Sequence, residues 1–501
     1  MNSRFSKLTQ SQYGLLAIFG VIILGSIVRF YKIMFHYAQN GVDEGIQLMA
    51  SKLMNEGYTL YDDFNTLQAP VGHWIFSLLG GNILFCRLLI AFLSIIGVIG
   101  VMFLLKKRAG LYPAFVAGLM MAFSSIYLKE SRISSLDMMV TSILIMAFVF
   151  LILAYYGEEK WRYSAFGASG ILFGLGIMVK LFAVIPFVAV LTYFSLKIFK
   201  AMLEKKDIPW KNIAPWILFC LCTICVVTLI LVTFDSHLVI EGMFFSNLEV
   251  REYQSLTVRI MDTGHFFLIN SPILLFSALG MKDLIKEKRW IIPTWFFSLL
   301  LWFTIQPLTY NHHLLLLIPP MYIAGGIGIK IFIESMKKTL GTSNKWIIKR
   351  NINSSLLVFF LLISLPFFVG AGLHISDLEE PIEYAVAEKV ENITHENDFI
   401  LCGDPIIGII AGRNQAPEMV NVAETAYPTL NASMIIGYCE NYNVPVIVVT
   451  YHLSEIWGFK NYVLEYYSFI CGYTDTGEII TNPKLDWEKD NYLIYLRNSQ
   501  K

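Results

Sequence analysis

The hydrophobic positions of this chain fall into long apolar blocks separated by short polar stretches. A helix needs about 20 apolar residues to cross a membrane, and this template gives about eleven candidate spans. They are residues 12–34, 84–105, 112–128, 136–156, 163–179, 181–199, 212–234, 266–281, 290–305, 312–333 and 353–374. The pattern therefore predicts an α-helical polytopic membrane protein with about eleven transmembrane helices.

The pattern changes after residue 374, where charged residues return and short apolar runs alternate with polar ones. The segment PIEYAVAEKVENI has helical spacing, whereas NDFILCG, VPVIVVTYH and YLIYLR are typical of strands. A segment of this length can bury a core of its own. We therefore predict a transmembrane domain over residues 1–374 and a soluble α/β domain over residues 375–501.

Composition supports a membrane protein and excludes one class of partner. Only 15% of the 501 residues are charged and 56% are hydrophobic, whereas soluble domains have about 25% charged residues. The formal net charge is zero, so no general positive field attracts nucleic acid. We expect a membrane-embedded protein with no nucleic-acid partner.

The loops between the apolar blocks differ strongly in basic residues. Lys and Arg gather in alternate loops, at residues 4–7, 106–108, 160–162, 200–211, 282–289 and 337–350. Basic residues concentrate in cytoplasmic loops. The distribution therefore predicts a multi-pass plasma-membrane protein with a cytoplasmic N-terminus and with residues 375–501 outside.

An acidic pair, Asp43-Glu44, opens the first predicted outer loop. Carboxylates at a membrane face are costly unless they are solvated or paired, so the pair suggests a functional site. Alternatively, Asp43 is the N-cap of a helix formed by the amphipathic run IQLMASKLM. Capping and catalysis are compatible.

Further polar residues lie on the same predicted face. The remaining candidates are His73, Glu130, Arg132, Asp137, Lys180, His265, His312 and His313. A carboxylate can act as general base on an acceptor hydroxyl, and Arg or Lys can hold a phosphate leaving group. Together these residues have the chemistry for a transfer from a lipid-linked phosphate donor.

Several motifs resemble the GT-C glycosyltransferases of the protein O-mannosyltransferase and aminoarabinose lipid A transferase type. They are VDEG, GYTLYDDF, APVGHW, ESRISSLD and HHLLLLIPP, and GDPIIGIIAGRNQAP is similar to the extracytoplasmic domains of such proteins. The resemblance implies a GT-C fold and an inverting transfer of a monosaccharide from a polyprenyl-phosphate carrier. It also implies an extracytoplasmic acceptor, which can be a protein, a glycan or a lipid. The WWDxG signature of oligosaccharyltransferases is missing, which argues against whole-glycan transfer to Asn.

The resemblance also implies residue roles. Asp43 is the expected general base with Glu44 beside it, and Arg132 and Lys180 are the expected contacts of the donor phosphate. Some relatives use a divalent metal, which here would fall to Asp137 and His265, with His73 as a third ligand. The further site candidates are Glu130, His312 and His313.

Less specific interpretations exist for most of these residues. Glu130, Arg132 and Asp137 of the second predicted outer loop can form an ordinary ion network. Lys180 can extend to the membrane interface, and His312-His313 can be an interfacial anchor. A transporter or lipid-linked glycan flippase is the alternative function. Transporters place ionisable groups at mid-membrane on discontinuous helices, whereas these candidates lie in loops on one face. A scaffold acting through residues 375–501 would leave the loop acids unexplained.

Overall fold

The structure is a computed structural model that describes most of the chain. The described residues are 10–35, 41–204, 210–245, 254–306, 308–341, 359–360, 362–372, 380–422, 431–454, 456, 458–474, 477–481, 487 and 491–498. The helices before residue 375 are α1 Gln10–Phe30, α2 Gly41–Asn55, α3 Pro70–Ser77, α4 Ile83–Arg108, α5 Leu111–Ala122, α6 Ser125–Glu130, α7 Leu136–Tyr156, α8 Arg162–Val179, α9 Val184–Leu203, α10 Trp210–Thr233, α11 Ser236–Ile240, α12 Leu256–Ile269, α13 Ser271–Lys286, α14 Ile291–Ile305, α15 Ile318–Gly341 and α16 Leu362–Gly372.

In the part of the chain that the structure describes, the apolar blocks fall mainly on helices. Within the described residues, 6 helices are long and apolar enough to cross a membrane. Helices α12 and α13 together are also apolar enough, but they meet at an angle of 93°, as in a broken span or a re-entrant loop. Shorter apolar helices account for the remaining blocks, namely Ile18–Phe30, Leu111–Ala122, Ile291–Ile305 and Leu362–Gly372. The predicted helical membrane fold is confirmed, although several of its helices are shorter than a full bilayer crossing.

Helices α4 and α7 begin side by side and determine where the polar residues gather. The Asn82 side chain caps α4 by accepting hydrogen bonds from the backbone N–H groups of Leu84 and Phe85. Ser135 caps α7 in the same way through Met138 N–H. Such caps satisfy backbone donors that have no partner inside the helix. We call the end where both helices begin the acidic end, and the opposite end, at Arg108 and Tyr156, the basic end.

Small residues let these helices approach one another closely. A Cβ atom added at Gly97 of α4 would collide with the Tyr127 hydroxyl, and one at Gly100 would press on Ile145 of α7. The Tyr127 hydroxyl donates to the Ser94 carbonyl oxygen at 2.8 Å. Glycine allows close helix contacts of this kind in membranes, so the packing of α4 on α7 depends on these positions.

The region after residue 380 contains one six-stranded sheet with helices around it. The strands are β1 Phe399–Cys402, β2 Asn414–Gln415, β3 Val446–Val449, β4 Tyr467–Thr474, β5 Ile479–Ile480 and β6 Asn491–Arg497, in the order β2-β1-β3-β6-β4-β5. Strand β1 runs parallel to β2 and β3, and the remaining pairs are antiparallel. The helices are α17 Ile382–Ile393, α18 Ile406–Ile410, α19 Ala432–Asn441, α20 Tyr451–Ser454 and α21 Phe459–Tyr466. The α/β character is confirmed, and the predicted boundary at 374/375 lies outside the described residues.

The C-terminal region packs directly on helix α2. A Cβ atom at Gly45 would collide with the backbone nitrogen of Ile406, at the start of α18. Val420 joins a buried apolar cluster with residues of α2 such as Met49. The Tyr384 hydroxyl donates to the Met34 carbonyl oxygen at 2.9 Å. The sheet region therefore covers the helix that begins with the acidic pair.

Candidate functional site

The two carboxylates of the acidic pair point to different surroundings. Asp43 and Glu44 both lie in the first turn of α2, where negative charge interacts favourably with the helix dipole. The side chain of Asp43 is 58% exposed, whereas that of Glu44 is fully buried. Adjacent residues on a helix face directions about 100° apart, so one acid faces the protein interior and the other faces the open side.

Glu44 forms a closed ion pair with Arg87. The Arg87 Nε and Nη2 atoms donate to the two Glu44 carboxylate oxygens at 2.8 Å and 2.6 Å, and the Ser134 N–H donates to Oε1 at 2.8 Å. Arg87 Nη1 donates to the carbonyl oxygens of Ile33 and Met34 at 2.8 Å and 3.0 Å. The pair therefore joins the segment after α1, helix α2, helix α4 and the segment before α7.

A second buried ion pair joins Asp137 and Lys180. Lys180 Nζ donates to Asp137 Oδ2 at 2.6 Å, and both side chains are about nine-tenths buried. Lys180 lies in the break between α8 and the 3₁₀ turn Leu181–Ala183, where its backbone is extended. Asp137 lies in the first turn of α7, and its Oδ1 atom is buried with no hydrogen-bond partner in the described part of the chain.

His312 bridges the exposed acid and the buried ion pair. Its Nε2 atom lies 3.9 Å from Asp43 Oδ2 and 3.9 Å from Asp137 Oδ2. His312 belongs to the 3₁₀ turn Asn311–Leu317, which leads into α15. This turn therefore brings a histidine from late in the sequence to the acidic pair of the first predicted outer loop.

Nine residues line a small pocket with a volume of about 10 Å³ at this point. They are Asp43, Glu44, Gln47, Glu130, Ile133, Ser134, Ser135, Asp137 and His312. Burial raises the pKa of the Glu130 carboxyl above its ordinary value, and Ser135 donates a hydrogen bond to it at 2.6 Å. The pocket thus combines an exposed carboxylate, a buried acid and a histidine.

A possible metal-binding cluster beside the pocket consists of Asp137, His312 and His313. One ligand atom from each lies within 4.8 Å of the others, and a carboxylate with imidazoles is a donor set that Zn²⁺ accepts. The buried Oδ1 of Asp137 is an open ligand atom, which fits a divalent ion. Lys180 holds the other oxygen, and His313 Nδ1 accepts from the Tyr310 N–H at 3.3 Å. The three residues therefore offer suitable ligand atoms for a divalent cation, but a cation would compete with Lys180 for the Asp137 carboxylate.

The other histidines predicted as metal ligands lie elsewhere. His73 is buried on α3, where its Nε2 atom lies 2.9 Å from the Thr66 hydroxyl. Burial lowers the pKa of His73 to about 4, so this imidazole is neutral. His265 lies exposed on α12. Of the three predicted metal ligands, the structure brings only Asp137 to the cluster with His312 and His313.

Arg132 contacts the end of helix α1. Its guanidinium donates to the carbonyl oxygens of Val28, Tyr31 and Lys32, with the Tyr31 bond at 2.7 Å. A cation at the carboxyl end of a helix stabilises the exposed carbonyl groups there. Arg132 is fully buried and does not line the pocket, and its role in donor binding stays a prediction.

Sequence inspection missed Arg87. This residue lies inside the apolar block 84–105, which the sequence analysis predicted as a transmembrane helix. An arginine within a membrane span is rare and is usually paired with an acid. Its presence in this apolar block was therefore the signal in the sequence that pointed to a buried ion pair. Its partner, Glu44, is 43 positions earlier in the chain, and pairing over such a distance is not visible in local patterns.

Comparisons with known proteins identify the fold. Residues 68–233, about a third of the chain, match the family model described as dolichyl-phosphate-mannose-protein mannosyltransferase. No curated protein matches the chain in sequence. ArnT from Cupriavidus metallidurans, solved with bound undecaprenyl phosphate, matches at a TM-score of 0.66 and 12% identity, over 98% of this chain and 99% of that one.

Archaeal oligosaccharyltransferases have the same architecture. AglB from Archaeoglobus fulgidus, solved with an inhibitory peptide and a dolichol-phosphate, matches at a TM-score of 0.57 and 12% identity, over 98% of this chain and 77% of that one. A structure of the Archaeoglobus fulgidus oligosaccharyltransferase with zinc and sulfate matches at 0.55 and 11%, over 96% and 75%. Such low identities show the fold rather than the reaction. The resemblance suggested by the motifs is confirmed, and the chain is a multi-pass membrane protein with the fold of the GT-C glycosyltransferases.

Proposed function

We propose that this protein transfers a monosaccharide from a polyprenyl-phosphate carrier to an acceptor hydroxyl with inversion, using Asp43 as general base. One observation carries the proposal. The exposed Asp43 carboxylate and the buried Asp137–Lys180 pair meet across His312 at one end of the helix bundle. A proton acceptor and a site for an anionic leaving group therefore lie next to each other.

Asp43 has the surroundings that a general base needs. Its carboxylate is more than half exposed, so an acceptor hydroxyl can reach it and transfer its proton as the oxygen attacks the sugar. In a single displacement, the acceptor attacks from the face opposite the leaving phosphate, and this inverts the anomeric centre. Glu44 is held by Arg87, so it positions α2 rather than taking part in proton transfer.

Lys180 and His312 are the groups that we assign to the leaving phosphate. The charge that develops on this phosphate is stabilised by pre-oriented hydrogen-bond donors and cations in a site with little water. Lys180 Nζ is held in place by Asp137, so its charge is fixed before the donor binds. If a divalent cation also binds, Asp137, His312 and His313 would hold it, and it would add positive charge for the phosphate.

The fold neighbours support a lipid-linked donor. ArnT was solved with undecaprenyl phosphate and AglB with a dolichol-phosphate. The helices of this chain offer an equivalent apolar environment for the prenyl tail, with the phosphate at the acidic end. The acceptor is a protein, glycan or lipid on the same side of the membrane as the C-terminal region.

The alternative is a transporter or flippase, and one structural feature favours it. Helices α12 and α13 meet at an angle of 93°, as in a broken span or a re-entrant loop, and transporters often bind substrate at broken helices. The bend is closed by hydrogen bonds, however, because Asn270 at the break accepts from the Tyr322 hydroxyl at 3.1 Å. The acidic group lies at helix ends rather than mid-span, which favours the transferase.

The test measures transfer of labelled sugar from a panel of polyprenyl-phosphate sugars in membranes that contain the full chain. Asp43→Asn should lower the transfer rate by about 10²–10⁴-fold, the usual contribution of a general base. Asp62→Asn is the matched control, because Asp62 is an exposed acid of the same loop outside the pocket. If Asp43→Asn transferred sugar as fast as Asp62→Asn, Asp43 would not be the general base. Transport of the carrier lipid without transfer would favour the flippase.

A further inference from the structure

A second and larger cavity lies between helices α4, α7, α13, α14 and α15 and has a volume of about 360 Å³. Its walls are mostly aliphatic, with Ile152, Leu284, Ile292 and Ile323 among the lining residues. Ligand-binding cavities in proteins typically start at about 300 Å³. The cavity is therefore large enough to hold part of a small molecule or a lipid.

The cavity is separate from the pocket at the acidic end. Helix α4 connects Arg87, beside Glu44, with Arg108, which lines the cavity. Helix α7 likewise connects Asp137 with Tyr156, another lining residue. Each stretch spans about 30 Å at the rise of an α-helix, which is about the thickness of the bilayer core. The cavity therefore opens at the basic end, on the opposite side of the membrane from the acidic pair.

The cavity combines apolar walls with a basic rim. Lys107, Arg108 and Arg289 line it, and none of its lining residues is acidic. Arg108 forms ion pairs with Glu287 and Asp283 through Nη2, while its buried Nε atom has no hydrogen-bond partner in the described part of the chain. An open donor at the rim of an apolar cavity is suited to an oxygen-rich anion with a hydrocarbon attached.

A neighbouring aromatic ring holds Arg289 at this rim. The Arg289 guanidinium lies over the Tyr156 ring at 4.8 Å from its centroid, and its Nε atom pairs with Glu287 Oε2 at 3.2 Å. Stacking on a ring orients an arginine without using its remaining hydrogen-bond donors. Lys107 is exposed and lies over the Phe103 ring at 5.1 Å. Two cations are thus positioned by aromatic rings, and both retain donors for an incoming anion.

We propose that this cavity binds an anionic membrane phospholipid, with its phosphate at Lys107, Arg108 and Arg289 and the upper part of one acyl chain against the aliphatic walls. A soluble anion would gain nothing from these walls, and a neutral lipid would gain little from three cations. Basic pockets between helices on the cytoplasmic side suit anionic lipid headgroups, and the distribution of Lys and Arg predicts that this end is cytoplasmic. The site is independent of the proposed transfer at the other end.

The test uses the purified full chain in nanodiscs of phosphatidylcholine, with and without phosphatidylglycerol. Native mass spectrometry counts retained lipids, and thermal unfolding measures stabilisation. Phosphatidylglycerol should be retained in preference to phosphatidylcholine and should raise the unfolding temperature. The double variant Lys107→Gln with Arg289→Gln should weaken retention by about tenfold, because each basic residue contributes to headgroup binding.

Two further variants separate lipid binding from general folding defects. Leu153→Trp leaves the three cations in place and fills part of the cavity, so it should also reduce retention. Lys160→Gln removes an exposed cation that follows α7 and does not line the cavity, so it should leave retention unchanged. Equal retention of both lipids, or an unchanged double variant, would overturn the proposal. Stabilisation by inorganic phosphate alone, or preferential retention of polyprenyl phosphate, would assign the site to another ligand.

Discussion

Two buried ion pairs, Glu44–Arg87 and Asp137–Lys180, lie at the same end of the helix bundle and have equal closest distances of 2.6 Å. In the first, Arg87 binds both carboxylate oxygens and a backbone N–H adds a further bond. In the second, one carboxylate oxygen has no hydrogen-bond partner among the described residues, and a histidine stands nearby. In the Glu44–Arg87 pair both carboxylate oxygens are hydrogen-bonded, so we call it the saturated pair; it holds chain segments together. The Asp137–Lys180 pair can still accept a ligand at the free carboxylate oxygen.

The difference indicates which of two neighbouring acids does chemistry. A buried polar network in which every group has its partners makes a protein more rigid. Glu44 belongs to such a network with Arg87 and the Ser134 N–H group. Asp43 lies one residue earlier, is exposed, and approaches the second pair through His312. Each of the following variants breaks one side of this comparison.

The largest effect is expected when the saturated pair loses one partner. Arg87→Met leaves the buried Glu44 carboxylate without its cation, and such a loss costs about 3–5 kcal/mol of folding free energy. The measurement is thermal unfolding of the purified protein in detergent. Glu44→Gln combined with Arg87→Met should recover part of the loss, because no unpaired charge remains. If the single variant were as stable as wild type, the pair would not hold the segments together.

Breaking the Asp137–Lys180 pair should lower the rate of transfer. Lys180→Met removes the cation that we assign to the leaving phosphate, and loss of one such group typically lowers kcat by about 10²–10³-fold. The unfolding temperature should change less than in Arg87→Met, because Asp137 keeps His312 nearby. Transfer rates and unfolding temperatures of both variants give this comparison. Equal activity of Lys180→Met and wild type would exclude Lys180 from phosphate binding.

The C-terminal region adds a pH-dependent contact to the same end. Burial raises the pKa of the Asp404 carboxyl to about 7, and the nearby acids Glu383, Glu44 and Asp43 add to this shift. Because the folded-state pKa is raised, ionisation destabilises the fold as pH rises from about 4 through 7. Asp404→Asn stays neutral and should be more stable than wild type at pH 8 by about 4 kcal/mol, with little difference at pH 4. A constant difference at all pH values would contradict this cause.

The smallest effect is expected at the contact between α2 and the C-terminal region. Gly45→Ala places a methyl group against the backbone of Ile406, and overpacking of this kind costs about 1–3 kcal/mol. Gly437→Ala is the control, because a Cβ atom there meets nothing within 4 Å. Thermal unfolding of both variants shows whether the C-terminal region is tightly packed on α2. Similar unfolding temperatures for the two would indicate a loose contact.

The sequence was informative about the helices and about one end of the bundle. The apolar blocks predicted the helices, and the acidic pair predicted the place where polar side chains meet. The sequence could not tell which acid faces outward, because that depends on the rotation of α2 and on Arg87 from an apolar block. The metal-ligand set was equally hidden, since packing rather than spacing brings His312 to Asp137 and leaves His73 on Thr66. Arg132 is held by carbonyl groups at the end of α1 and just after it, about a hundred positions earlier in the chain.

The most direct test of the account compares the two adjacent acids in one membrane assay. Transfer of labelled sugar is measured for Asp43→Asn and Glu44→Gln, and each rate is divided by the amount of folded protein. We predict that Asp43→Asn keeps the wild-type unfolding temperature and loses transfer, whereas Glu44→Gln lowers the unfolding temperature and keeps most of the transfer per folded molecule. The reverse pattern, with Glu44→Gln inactive and Asp43→Asn active, would contradict the assignment of the base and of the saturated pair.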